Sequence, residues 1–353
     1  MENQKKYIER CIALAKNGLG TTYPNPMVGS VIVYEDKIIG EGWHKKSGEP
    51  HAEVNAINSV QDKSLLKKAT IYVSLEPCSH FGKTPPCCDL IIENTIPNVV
   101  IGTIDPNIKV AGSGIKRLIE AGINVTVGVL ESDCKELNKR FFTFHEKKRP
   151  YVILKWAESQ DGFIAPIPRE TQDEIKNRNP VWITNEFSRQ LVHKWRSEEQ
   201  AILVGTNTVV NDNPKLDVRD WFGNNPIRIV LDQNNRIPKD SHIYDNSVKT
   251  IIFSQMANAA IGKNTTFEVI DYKQNLANQM LKVLHKHNIQ SVIIEGGRQT
   301  LQTFIDEDLW DEARIFIGNK NFQNGIKAPN IALERCEKHA IADDALLISR
   351  NYD

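Results

Sequence analysis

The chain of 353 residues has no run of about 18 apolar residues, so nothing in it reads as a membrane-spanning helix and no membrane partner is expected. Its opening residues, Met1-Glu-Asn-Gln-Lys-Lys-Tyr-Ile8, lack an apolar signal segment, and the cytoplasm is the expected compartment. There is no charge of one sign to speak of: 44 Lys+Arg stand against 44 Asp+Glu, with no basic tail. A nucleic-acid partner, whose phosphates need neutralising, is therefore not expected. A G-x-G-x-x-G fingerprint is missing, which disfavours an ordinary Rossmann dinucleotide site. Cysteine is sparse, and the six present (Cys11, Cys78, Cys87, Cys88, Cys134, Cys336) are not spaced as a secreted disulfide framework. Apolar residues make up 40% of the chain, enough for real cores, and the length is long for one domain and comfortable for two.

Against that background one cluster carries chemistry. His51-Ala52-Glu53 is followed by Glu76-Pro77-Cys78 and then Cys87. One imidazole and two thiols in this order suit Zn²⁺, with a water in the fourth position and a nearby carboxylate moving protons without binding the metal. Zinc lowers the pKa of its water from ~15.7 to ~7, which gives a nucleophile at neutral pH. Glu53 is the expected proton carrier, and removal of an amino group from a heteroaromatic ring is the expected reaction. The setting supports this. Ala52 to Val60 reads as a helix, Thr70–Leu75 as a buried strand, and Cys87–Glu93 as a second helix, so two helix starts face one strand end. Thiolates at a helix N-terminus are stabilised by its dipole. A Cys78–Cys87 disulfide is the competing use of the two thiols. Cys88 and His80 rank below the three ligands, Cys88 because it follows Cys87 on a helix and should point away.

The shortest zinc-deaminase signature is C-x-x-C. Here eight residues, Ser79 to Pro86, separate the thiols. Such a polar, Gly/Pro-marked loop suggests an added substrate contact, with Lys83 placed to meet an anionic group such as a phosphate.

Three long segments now support a resemblance. They are Thr21-Thr-Tyr-Pro-Asn-Pro-Met-Val-Gly29, Gly48-Glu-Pro-His-Ala-Glu53 and Leu75-Glu-Pro-Cys-Ser-His-Phe-Gly-Lys-Thr-Pro-Pro-Cys87. The chain resembles the bifunctional riboflavin-biosynthesis deaminase–reductases. The resemblance continues through Asp105-Pro-Asn107 and Val110-Ala-Gly-Ser-Gly114 into the second half and covers nearly the whole chain. It implies zinc-dependent deamination of a phosphoribosylamino-pyrimidine, then NADPH-dependent reduction of the ribosyl to the ribityl side chain. It also implies a homo-oligomer. In the first half it gives Asn25 a contact with the substrate ring, and His44 and Lys83 contacts with the ribose phosphate.

Strand–helix alternation over the first half predicts an α/β/α sandwich of the cytidine-deaminase kind. The polar, proline-marked Lys147-Lys-Arg-Pro150 join divides a deaminase domain, 1–147, from a reductase domain, 148–353. Tyr151–Lys155, Gln200–Gly205, Ile227–Leu231, Lys249–Phe253 and Ser291–Glu295 read as strands of the second half. Its Trp156–Ala165 stretch is similar to the family's reductase, whose α/β fold resembles dihydrofolate reductase. Glu295-Gly296-Gly297 opens a helix in a strand–turn–helix setting that suits a pyrophosphate.

The resemblance implies cofactor contacts at Ala157, Trp182, Thr208, Asp212, Gly296 and Gly297, and substrate contacts at Arg196, Leu216, Arg219 and Glu295. Guanidinium forks at Arg196 and Arg219 suit a sugar phosphate. Asp212 or a bound water is the available proton donor for the reduction. The chain departs from the family in three places. A longer polar stretch runs from Pro166 to Asn179, Pro180 stands in place of a serine, and Gln233 replaces a small polar residue at a cofactor position. The long loop leaves an alternative open, an active deaminase whose reductase has drifted.

Overall fold

A computed structural model of the chain describes residues 2–80, 85–107, 111–166, 181–256, 262–333 and 335–351. Two units emerge, Met1–Lys148 and Arg149–Asp353, divided inside the polar Lys147-Lys-Arg-Pro150 join.

In the first unit, short β-branched runs form β1 (Gly29–Tyr34), β2 (Lys37–Trp43), β3 (Thr70–Leu75), β4 (Asn98–Thr103) and β5 (Asn124–Val127). They make one sheet in the order β2-β1-β3-β4-β5. β1 runs antiparallel to β2 and β3, while β3, β4 and β5 are parallel. Period-2 alternation sends neighbouring side chains to opposite faces. Ile32, Ile71, Val73, Val99 and Ile101 pack on α2 (Ala52–Ser59), α3 (Cys87–Glu93) and α4 (Ser113–Glu120). Val31, Val33, Tyr72 and Val100 pack on α1 (Glu2–Ala15) and on Cys134 of α5 (Glu131–Leu137). The result is a helix–sheet–helix sandwich. A further helix, α6 (Lys139–Glu146), leads to the join.

The second unit is built on a larger sheet. Its strands are β6 (Tyr151–Ser159), β8 (Ala201–Gly205), β9 (Ile227–Leu231), β10 (Thr250–Ser254), β11 (Thr265–Val269), β12 (Ser291–Ile294), β13 (Glu312–Gly318), β15 (Cys336–Ile341) and β16 (Asp344–Arg350). The order is β11-β10-β9-β8-β12-β6-β13-β16-β15. All are parallel from β11 to β13, and β16 and β15 close the edge antiparallel. β6 extends beyond the Tyr151–Lys155 run predicted from the sequence, because Trp156 to Ser159 continue to pair with β13. A separate pair joins β7 (Phe163–Pro166) to β14 (Gly325–Lys327).

Parallel strands buried on both faces need apolar side chains on both. Leu154, Leu203, Ile229, Phe253 and Ile294 meet α9 (Leu276–Lys286) and α10 (Arg298–Asp306). On the opposite face Val204 and Val230 pack with Val209 of α8 (Thr206–Asp212), and Ile153 and Phe316 with Val192 and Trp195 of α7 (Glu186–Glu198). Asn185 caps α7 by accepting from the Ser188 amide at 2.9 Å. No described helix is long and apolar enough to cross a membrane.

Candidate active sites

In the first unit the three proposed metal ligands come together at element boundaries. His51 is the residue before α2, Cys78 lies just past β3, and Cys87 opens α3. Their ligand atoms all lie within 4.8 Å of one another. His51 Nδ1 is 3.6 Å from Cys78 Sγ and 3.4 Å from Cys87 Sγ. Zn–S of about 2.3 Å and Zn–N of about 2.0 Å at a tetrahedral angle place S and N roughly 3.5 Å apart, so the donors already stand at coordination spacing. Three ligands with a fourth position open is the arrangement of a catalytic zinc.

The electrostatics also call for a cation. Without one, the hydrogen bond from Cys87 pulls the Cys78 thiol down to about 4. The same bond to Cys78, followed by burial and the Glu53 charge, pushes Cys87 far up. Both thiols are free, with no disulfide between them. Cys88 directs its thiol to Pro77 O (3.3 Å) and Gly114 O (3.6 Å), away from the cluster, and His80 is exposed.

Glu53 lies on the first turn of α2 and is 3% exposed. Burial, then the Cys78 charge, raises its carboxyl to about 7, so it can hold or release a proton near neutrality. Asn25 Nδ2 sits 3.1 Å from His44 Nε2, and His44 Nδ1 sits 3.2 Å from Pro50 O. His44 is buried, with its ring edge-on to His51 at 5.3 Å. It reaches the site through Asn25, with both ring nitrogens engaged, rather than through an open face. Lys83 lies outside the described residues.

Sequence reasoning gave Glu76 no role, yet its carboxylate is a hub. It accepts from the backbone amides of Gly112 (2.9 Å), Gly114 (2.9 Å), Asp105 (3.3 Å) and Ile115 (3.4 Å). The start of α4 is thereby drawn onto the loop that carries Cys78. A Cβ on Gly114 would stand 2.2 Å from Pro77 O, so only glycine permits the approach.

In the second unit a cavity of about 1080 Å³ opens at the carboxyl ends of β6, β8, β9 and β12. Ligand sites in open parallel sheets gather at such ends. Ala157, Trp182, Thr208, Asp212, Gly297, Arg196, Arg219 and Glu295 all line it. Gly296 and Leu216 do not: Gly296 packs where a Cβ would stand 2.3 Å from Val204 Cα, and Leu216 is a core residue. Gly297 turns the chain at φ +56°. Pro180 and the polar stretch from 167 to 179 lie outside the described residues.

Arg196 and Glu295 make a two-bond ion pair, Nη2–Oε2 at 2.7 Å and Nε–Oε1 at 3.3 Å. Burial raises the Glu295 carboxyl, but the charges of Arg196 and Lys155 overcome this and bring it down to about 2. Lys155, which sequence reasoning passed over, lines the same cavity. Burial lowers its ammonium, and the Glu295 charge partly opposes that. Its signal was a lone lysine in the apolar run Tyr151-Val-Ile-Leu-Lys-Trp156. Arg219 is half exposed and bonded to Asp217 at 3.0 Å. The Arg189 guanidinium covers the Trp182 ring at 4.7 Å.

Comparison with known proteins places both units. Residues 1–103 match the family model of the cytidine and deoxycytidylate deaminase zinc-binding region, and residues 150–322 match that of the RibD C-terminal domain. The chain is 39% identical over 341 residues to the riboflavin biosynthesis protein RibD of Aquifex aeolicus, covering 96% of this chain and 93% of the relative. It is 37% identical over 331 residues to that of Escherichia coli, covering 89% and 87%. Among solved structures, a diaminohydroxyphosphoribosylaminopyrimidine deaminase/5-amino-6-(5-phosphoribosylamino)uracil reductase from Thermotoga maritima superimposes with a TM-score of 0.87 at 36% identity, covering 99% of each chain. RibD from Acinetobacter baumannii gives 0.88 at 32% identity, covering 100% of this chain and 99% of that one.

Proposed function

The chain belongs to the RibD family of bifunctional riboflavin-biosynthesis enzymes, with a zinc deaminase domain and an NADPH-dependent reductase domain, and from that premise we propose substrates and residue roles. The first substrate is 2,5-diamino-6-(5-phosphoribosylamino)pyrimidin-4-one, deaminated by the first unit. The second unit then reduces the ribosyl group of the product. The names of the relatives support this, and the observation that carries it is the convergence of His51, Cys78 and Cys87 within 4.8 Å, beside buried Glu53.

His51, Cys78 and Cys87 hold the metal. Bound zinc supplies a water acidic enough to act as nucleophile near neutral pH. Glu53 takes the proton released at its carboxylate and delivers it first to the ring nitrogen and then to the departing ammonia. Asn25, held by His44, faces the ring, and Lys83 meets the phosphate.

In the reductase, NADPH supplies a hydride, accepted at C1 of the ring-opened ribosyl group, and a proton goes to the adjoining nitrogen. Ala157, Trp182, Thr208, Asp212 and the Gly296-Gly297 turn position the cofactor. Arg219 offers its fork to the sugar phosphate, while Arg196 and Glu295, locked together, orient hydroxyls. Lys155, beside them, replaces Asp212 as the preferred proton donor. A homo-oligomer in the cytoplasm remains part of the proposal.

The test follows two products. Purified protein is incubated with the pyrimidine, with and without NADPH, and ammonia release and NADPH oxidation are recorded separately. No ammonia from zinc-loaded protein sinks the deaminase reading. Ammonia without NADPH oxidation removes the reductase and leaves a drifted domain.

A further inference from the structure

β8, α8 and β9 form a β–α–β unit whose strands are parallel neighbours. In dinucleotide sites of this kind, the residue past the second strand reads the adenosine ribose. An acid there bonds the free 2′-hydroxyl, and an arginine accepts a 2′-phosphate. Here an acid does follow β9, but it is spent. Asp232 is 1% exposed, and its carboxylate accepts from the amides of Arg236 and Ile237, each at 3.0 Å. It folds the 232–237 turn and has no oxygen to spare for a ribose.

The same turn presents the opposite charge to the cavity. Arg236 is exposed and lines it, together with the neutral amides of Gln233 and Asn234. The partner of its guanidinium is the neutral Asn207 carboxamide, at 2.8 Å from Nη2. The other lining arginines are differently placed. Arg196 is paired with Glu295 and Arg219 with Asp217, and Arg189 covers Trp182. Arg298 opens α10 beside the glycine turn. β9 lies two strands from β12 and three from β6, so at about 4.8 Å per strand Arg236 stands roughly 10–15 Å from the strand ends that carry Glu295 and Ala157. That separates the two ends of an extended dinucleotide.

We propose that Arg236 is the residue that selects a 2′-phosphorylated adenine dinucleotide, its guanidinium pairing with the phosphate monoester while Gln233 and Asn234 flank it. This rests on the NADPH reading above and deepens it by naming the selecting group.

The test uses fragments that carry only the adenosine end, titrated into the full chain by calorimetry: 2′,5′-ADP, and 5′-AMP, which lacks the 2′-phosphate. Wild type is expected to prefer 2′,5′-ADP. Arg236→Ala should weaken 2′,5′-ADP about 10- to 100-fold, the scale of charge-assisted hydrogen bonds, and leave 5′-AMP unchanged. Arg236→Lys should fall between. The turn survives these changes because Asp232 holds it through backbone amides. If wild type discriminates and Arg236→Ala still does, the proposal is overturned while the NADPH reading stands; loss of discrimination in Arg298→Ala instead would move the phosphate to the start of α10. If wild type binds both fragments alike, the NADPH preference falls and the proposal with it.

Discussion

Arg196 and Glu295 neutralise each other across the reductase cavity through two hydrogen bonds, with side chains only 12% and 9% exposed. The sequence is read as offering each to the substrate separately, and the structure makes them one unit. Removing one member leaves a buried charge without its partner, at a cost of about 3–5 kcal/mol.

Glu295→Gln should therefore destabilise the protein at neutral pH. The sign follows from the carboxyl, which lies at about 2 when folded, below its ordinary 4.5. A lowered acid contributes stability above its unfolded value and loses it as pH falls through its folded value. The contribution is about 3 kcal/mol. Urea denaturation of wild type and variant, followed by tryptophan fluorescence, should show a gap at pH 7 that closes between pH ~4.5 and ~2. A gap independent of pH would mean that the ion pair is not its source.

Glu53→Gln should retain zinc and lose deamination. The amide keeps the volume of a 3% exposed side chain but cannot carry a proton. A loss of about 10²–10⁴ in kcat is expected, with metal content by elemental analysis unchanged and NADPH oxidation on pre-deaminated substrate intact. His51→Ala, by contrast, should lose the metal. Zinc loss in Glu53→Gln would make Glu53 a ligand.

The zinc site was legible because its ligands sit at punctuated boundaries. Pro50, Pro77 and Pro86 mark where elements start or stop, and the strand between them is unmistakably β-branched. The strand–helix alternation that followed gave most of both sheets. The reductase cavity was less legible because it is assembled from the ends of strands far apart in the chain, ordered β9-β8-β12-β6 in space. Leu216 shows the cost: its motif suggests a contact, while its side chain is spent on the core. Glu76 read as the residue before a strand-ending proline, since the amides it grips lie on a segment much further along.

That grip gives the next expectation. Groups behind a metal ligand typically tune affinity 10- to 100-fold. Glu76 holds the Cys78 loop against α4 through four amides, so Glu76→Ala should weaken zinc retention by about that factor in a chelator competition. Glu76→Gln, which keeps one acceptor oxygen, should be milder. Cobalt substitution separates positioning from mere bracing. A displaced Cys78 thiolate shifts the visible spectrum of the cobalt form, whereas a brace alone lowers the melting temperature and leaves the spectrum in place.

Lys155 gives the last. It is the cation of the cavity with no carboxylate bonded to it, and burial lowers its ammonium toward neutrality while Glu295 holds it back. A group so placed gives up a proton more readily than a surface lysine. Lys155→Met keeps the length and loses the proton. It should cut NADPH oxidation about 10²-fold or more while leaving NADPH affinity, read by fluorescence titration, within a few-fold of wild type. Ammonia release from the first unit serves as the internal control for folding. Because the folded pKa lies below the ordinary lysine value, the wild-type rate should fall with rising pH earlier than the ordinary lysine range, and the variant should lose that limb. If the variant keeps the wild-type pH profile, the proton comes from Asp212 or a water instead.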